Sequence, residues 1–174
     1  MLKSTLLAWA LALAGCAPAA PEVRYEPSPM VVVEAMLGLA AVEARDVVYD
    51  LGCGDGRIVI AAARRGARAV CIDIDPRRIA EARANAATEG VGDRILFLQQ
   101  DLLESDLRVA TVVMLFLSRD LNRRLRPKLE RELRPGARVV SHWHDMDDWT
   151  PEKSVKVKSD SRDHPVYAWT MPPR

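Results

Sequence analysis

A chain of 174 residues with 49% hydrophobic content makes one globular domain and not comfortably two. Its 25 Lys and Arg against 24 Asp and Glu leave a net charge of +1, so no bulk electrostatic drive toward nucleic acid is expected. Aromatic residues make up only 5%, which argues against a base-stacking platform as well.

The chain opens on Met1-Leu2-Lys3, followed by an apolar run from Ser4 to Ala14 that is too short to span a bilayer as a mature helix. Leu13-Ala14-Gly15-Cys16 then resembles the cleavage box of bacterial lipoproteins. Residues 1–16 are accordingly expected to be a lipoprotein-type signal peptide, with Cys16 acylated as the new N-terminus. Residues 17–28, rich in Ala and Pro, read as a tether, and 29–174 as the folded domain. That places the protein at the periplasmic face of a bacterial membrane, touching the membrane only through its lipid anchor. Left unprocessed, the same domain is cytoplasmic.

Further along, Pro29 to Ala44 has apolar residues at helical spacing, with Ser28 suited to the N-cap and Pro29 to the first helical position. Asp46 to Asp50 reads as a strand. It runs into Leu51-Gly52-Cys53-Gly54-Asp55-Gly56, a loop with glycine at every second position. A helix over 57–65 stops at Gly66, and a strand over 69–73 ends in Asp73. Asp75-Pro76 starts a helix running to about Thr88. Strands follow over 94–99 and over 109–117, the second apolar enough to be buried on both faces. Asp101 suits the N-cap of a short helix over 102–107, a contact to a ligand, or both. A helix over 120–133 contains Pro127, which is expected to kink or split it. Ala137 to Ser141 is a fifth strand, and the runs 153–159 and 166–171 alternate as a closing antiparallel hairpin would. Cys53 and Cys71 are expected to be two buried thiols, since nothing in the sequence demands that they pair.

Strand, glycine loop and helix in succession build a nucleotide pocket at the carboxyl end of the first strand. The dinucleotide fingerprint would need a third glycine where Arg57 stands. With Asp50 ahead of Gly52, Gly54 and Gly56, the run resembles motif I of the class I S-adenosylmethionine (SAM) methyltransferases. A carboxylate at the tip of the second strand can accept both hydroxyls of a ribose. The resemblance assigns that role to Asp73. It assigns the methionine end of SAM to Asp50, Gly52, Cys53 and Gly54, and the adenine to Asp101 and the neighbouring backbone N–H of Leu102. It makes Asp50 a holder of the cofactor, not a base. It also implies an α/β, Rossmann-like class I methyltransferase fold, a mostly parallel seven-stranded sheet with a C-terminal antiparallel hairpin.

Four segments extend the likeness: Tyr25-Glu26-Pro27-Ser28-Pro29, Leu125-Arg126-Pro127-Lys128-Leu129, the stretch from Pro135 to His142, and Met146-Asp147-Asp148-Trp149. Together they resemble small stand-alone bacterial methyltransferases. These are similar to the mitochondrial protein-lysine methyltransferases acting on the c-ring protein of ATP synthase and on the adenine nucleotide translocator. The resemblance implies N-methylation of a lysine on a protein or membrane-embedded acceptor. Leu115-Phe116-Leu117-Ser118 stands where methyltransferases of adenine or glutamine amides carry Asn/Asp-Pro-Pro-Tyr, so those acceptors are disfavoured. Tyr25, Ser118, His142 and Trp143 fall at the N-terminal lid or at strand ends and are the candidates for an acceptor slot. His142 could act as a base or be a hydrogen-bonded loop residue. No metal site is expected, because His142, His144 and Asp145 have no second ligand cluster. The basic series from Arg119 to Arg134 reads as a solvated helix face, or otherwise as a dock for an acidic protein or anionic lipid. Export sits awkwardly with SAM, which is not expected to be supplied outside the cytoplasm. The alternatives are therefore an exported interaction module without turnover, or a small-molecule methyltransferase.

Overall fold

The computed structural model describes residues 25–174, so the expected signal peptide, Cys16 and most of the expected tether lie outside the described residues. Seven strands form one sheet in the order β3-β2-β1-β4-β5-β7-β6. They are β1 (Val47–Leu51), β2 (Arg68–Asp73), β3 (Ile95–Gln99), β4 (Val112–Leu115), β5 (Arg138–His142), β6 (Lys153–Ser159) and β7 (Arg162–Thr170). The first five pair in parallel, and β7 pairs antiparallel with both β5 and β6. This is the expected seven-stranded sheet.

Alternation along the strands divides the core in two. Val48, Cys71, Met114 and Val140 point to one face. There they meet α1 (Met30–Leu39), α2 (Arg57–Arg64) and α3 (Pro76–Thr88) through Met36, Leu37, Val59, Ala62 and Ala82. Tyr49, Leu51, Val113 and Leu115 point to the other face and pack on Leu125, Leu129 and Leu133, in and just after α4 (Arg119–Glu132). The strands β1 and β4 lie side by side at the centre, where the strand order reverses. That reversal opens the crevice in which such sheets bind ligands.

Several boundaries differ from expectation for local reasons. The first helix stops at Leu39 and not Ala44, because Ala41 takes a left-handed turn (φ 48°). The Val42 N–H then bonds the carbonyl of Leu37, closing the helix as glycine commonly does. Pro29, not Ser28, takes the N-cap position, and no side chain among the described residues caps the helix. The fourth strand shortens to Val112–Leu115, with Val109 exposed before it. The segment after Asp101 is a turn, not a helix, held by the Leu103 N–H donating to Asp101 Oδ1 at 2.8 Å. Pro127 lies inside a single unsplit helix. Strand β7 begins at Arg162, earlier than expected, because Asp160 and Ser161 both take positive φ (48° and 63°) and make a tight hairpin turn.

Cys53 and Cys71 form a disulfide, which corrects the expectation of two free thiols. The register sets Asp50 opposite Cys71. The N–H groups of Gly52 and Cys53 then both donate to the carbonyl of Ile72, at 2.8 and 3.0 Å. That folds the glycine loop back over β2 and brings the two Cα atoms to 5.3 Å, within bridging range.

Candidate active site

A cleft opens over the carboxyl ends of the parallel strands, and the glycine loop is its floor. Two glycines there are dictated by sterics. A Cβ on Gly54 would stand 2.4 Å from Cε2 of Tyr25, and one on Gly56 would stand 2.8 Å from Cβ of Ala82, where the loop meets α3. The Asp73 carboxylate spans the neighbouring backbone. Its Oδ2 accepts from the Gly54 N–H at 3.0 Å, and its Oδ1 from the Asp75 N–H at 2.9 Å. Asp75 caps α3 by accepting from the Arg77 N–H. Ile74, exposed between them, lines the cleft together with Leu102 and Leu103 and adds apolar wall to it.

Asp50 is 2% exposed on β1, at the centre of the sheet. Burial, with Asp73 and then Asp55 adding negative charge, pushes its carboxyl up to about 8. The lid over the glycine loop and the start of α3 is the N-terminal segment. Tyr25 stands near Asp55, and burial followed by that carboxylate raises its hydroxyl above the ordinary value. The guanidinium of Arg78 stands 4.2 Å from the Tyr25 ring centroid. Arg57 pairs with Asp55 at 2.6 Å and donates to the Ser28 carbonyl at 2.7 Å. The first lid residues are thus tied to the loop that they cover.

The residues assigned to the cofactor all line this one cleft: Asp50, Gly52, Cys53, Gly54, Asp73, Asp101 and Leu102. They fit SAM. Glycine gives the backbone close approach, Asp73 sits where a ribose would lie, and buried Asp50 offers a carboxylate to a cationic ligand. The acceptor-side candidates fare differently. Tyr25 lines the cleft. Ser118 does not, and its Oγ is engaged as the N-cap of α4, accepting from Leu121 N–H at 3.3 Å. His142 is 1% exposed and lies behind the lining, against Ser28, whose Oγ is 2.8 Å from its Nδ1, and the ring of Phe116. Trp143 stands outside the lining, 37% exposed with φ 74°, its N–H on the carbonyl of Pro165 at 2.8 Å. Ser28, Phe116, Leu117 and Arg124 line the cleft without having been singled out for it. Most basic residues of α4 are ion-paired at the surface, Arg119 with Asp147 and Arg123 with Asp120 among them.

A doubly wound sheet closed by the antiparallel β6–β7 pair, with this pocket over the β1–β4 crevice, is the architecture of a class I SAM-dependent methyltransferase. Comparison with known proteins sharpens the class. The family model described as the ANTKMT methyltransferase domain matches residues 50–153, and the chain belongs to that family. It is 44% identical to a protein-lysine N-methyltransferase of Saccharolobus islandicus, over 87% of this chain and 95% of that protein. It is 36% identical to the adenine nucleotide translocase lysine N-methyltransferase of Mus musculus, over 65% of this chain and 50% of that longer protein. Among solved structures, an RNA methyltransferase of Salinibacter ruber in complex with S-adenosyl-L-homocysteine superposes with a TM-score of 0.82 at 49% identity. That match covers 86% of this chain and 95% of the other.

Proposed function

We propose that this methyltransferase modifies the ε-amine of a protein lysine. The observation that carries the reading is the near full-length match to the Saccharolobus protein-lysine N-methyltransferase. SAM supplies a methyl group on a sulfonium, which an amine displaces in line; the protein's part is alignment, charge placement and exclusion of water. A lysine has an ordinary pKa near ~10.4 and must arrive neutral. The apolar walls Phe116 and Leu117, beside Ser28 and Asp50, favour loss of that proton by desolvating the ammonium. The Salinibacter relative is named for RNA, but a net charge of +1 and an ion-paired α4 face favour a protein acceptor here.

The test is incubation of the purified protein with tritium-labelled SAM and, separately, detergent-solubilised membrane proteins and total RNA of the producing cells. Label is expected in protein, on lysine ε-amines located by peptide mass spectrometry. Label confined to RNA would overturn the reading.

We also infer lipidation of Cys16 and residence at the periplasmic face. Two observations support it: the Leu13-Ala14-Gly15-Cys16 box and the Cys53–Cys71 disulfide, a bond that persists in oxidising compartments. Globomycin is expected to make a larger precursor accumulate, and Cys16→Ala to abolish processing altogether. A protein whose mobility ignores both treatments is not a lipoprotein.

A further inference from the structure

A buried polar chain runs from the cleft across the sheet, from Ser28 through His142 of β5 to His164 of the neighbouring β7. Ser28 Oγ lies 2.8 Å from His142 Nδ1, and His142 Nε2 lies 3.0 Å from His164 Nδ1. The three residues are 3%, 1% and 5% exposed. Phe116, which lines the cleft, stacks on the His142 ring at 4.1 Å. The chain ends on His164 Nε2, a buried atom without a hydrogen-bond partner among the described residues. A dead-end buried polar atom costs roughly 1–3 kcal/mol, and an apolar side chain of similar shape would avoid that. The other end, Ser28, is among the residues that line the cleft. The polar line therefore leads to the site and nowhere else.

Its chemistry fixes what Ser28 can offer. Burial, with His164 and then His144 nearby, holds His142 down at about 4, so the ring is neutral at ordinary pH. A neutral imidazole has one N–H and one bare nitrogen, so His142 donates from one ring nitrogen and accepts at the other. In one sense Ser28 donates its O–H to His142 and turns two lone pairs to the cleft. In the other it accepts from His142 and keeps one lone pair for the cleft. In both senses Ser28 Oγ keeps at least one lone pair free to accept a hydrogen bond. A neutral amine about to attack a methyl group has its lone pair directed at carbon and its N–H bonds free to donate.

We propose that Ser28 is the group that receives an N–H of the acceptor amine and sets its rotation toward the methyl, with His142 and His164 as positioning residues that orient the Ser28 hydroxyl. The proposal rests on the lysine reading. Each added methyl removes one N–H from the amine, so the contact also bears on how many methyl groups are transferred.

The experiment uses the full chain and the protein band that the wild type labels with SAM. Ser28→Ala is expected to lower kcat roughly 10- to 100-fold, with the Kd for S-adenosyl-L-homocysteine unchanged in titration calorimetry. Ser28→Thr, which keeps a hydroxyl, is expected to recover much of kcat. Mono-, di- and trimethyl-lysine, read by mass spectrometry, are expected to shift in proportion in Ser28→Ala. His164→Phe is the second variant and separates positioning from structure. It removes the orphaned nitrogen but leaves His142 Nε2 unpaired in its place, so Tm is expected to change little, while kcat falls because His142 loses its anchor. Wild-type kcat and methyl distribution in both Ser28→Ala and His164→Phe would overturn the proposal. So would loss of cofactor binding in Ser28→Ala, which would make Ser28 part of the cofactor pocket instead. A wild type that labels RNA and no lysine would remove the lysine reading itself, a result distinct from either.

Discussion

Replacement of Asp73 by alanine is expected to lower the affinity for SAM roughly 100-fold and leave a folded protein. The ribose of the cofactor offers two hydroxyls to this carboxylate, and charge-assisted bonds of that kind contribute about 1.5–3 kcal/mol each. The same carboxylate accepts the N–H groups of Gly54 and Asp75, at 3.0 and 2.9 Å, so the substitution also frees the middle of the glycine loop. A loss of about 1–3 kcal/mol in stability follows from those two donors. Core packing around β1 and β2 and the Cys53–Cys71 bond remain, which is why the fold should survive. Asp73→Asn separates the two roles, since its amide oxygen can still accept one loop N–H while the charge is gone. Titration calorimetry with SAM, alongside thermal melts, reads both effects. Wild-type affinity in a folded Asp73→Ala protein would remove Asp73 from the cofactor site.

What could be read from the sequence was local. The glycine loop, the acid ending β2 and the Asp75-Pro76 helix start are short-range patterns whose physics acts within a few residues, and the structure places them as anticipated. The continuous apolar run of β4 gave its central, doubly buried position, though not its ends. Ser28 shows where such reading stops. Serine before proline is a normal helix-cap signal, yet its hydroxyl goes to His142, 114 positions away. Nothing near Ser28 announces that partner, and His164 lies in a stretch whose charged residues disguised the start of β7. Ala41 is similar: the helix ends on an alanine doing what glycine commonly does, so no residue type marked the stop. The disulfide needed the fold of the loop over β2, which sequence spacing alone does not supply. Acceptor-side residues were the least legible because they converge from the N-terminal lid, the end of β4 and the β5–β7 pair, and only tertiary packing brings those together.

Asp50 sets up the other large effect, a dependence of stability and of cofactor binding on pH. Its carboxyl is ordinarily at 3.8 and is pushed up to about 8 in the folded protein, by burial first and then by Asp73 and Asp55. Between those values the folded state holds a proton there that the unfolded chain has released. Stability from this group is therefore fully present below about pH 4 and is lost as pH rises through about 8, at close to 1.4 kcal/mol per pH unit. Asp55 and Glu132, whose carboxyls are held below their ordinary values, act in the opposite sense and lose their contribution in acid. Comparison with Asp50→Asn at each pH isolates the Asp50 share. The variant is expected to be more stable than wild type at pH 8, by as much as about 5 kcal/mol, and close to it at pH 4.5. A cation beside Asp50 reverses the balance, because it favours the carboxylate. SAM carries positive charge, so its binding below pH 8 is expected to expel close to one proton. Its affinity should then climb from pH 6 to 8 and level off above. Calorimetry at pH 7 in buffers of differing ionisation enthalpy counts that proton. Asp50→Asn should release none and bind with a flat pH profile. A wild type that binds SAM without proton release at pH 7 would mean that Asp50 is already ionised in the empty cleft, and that its negative charge is balanced there before any ligand arrives.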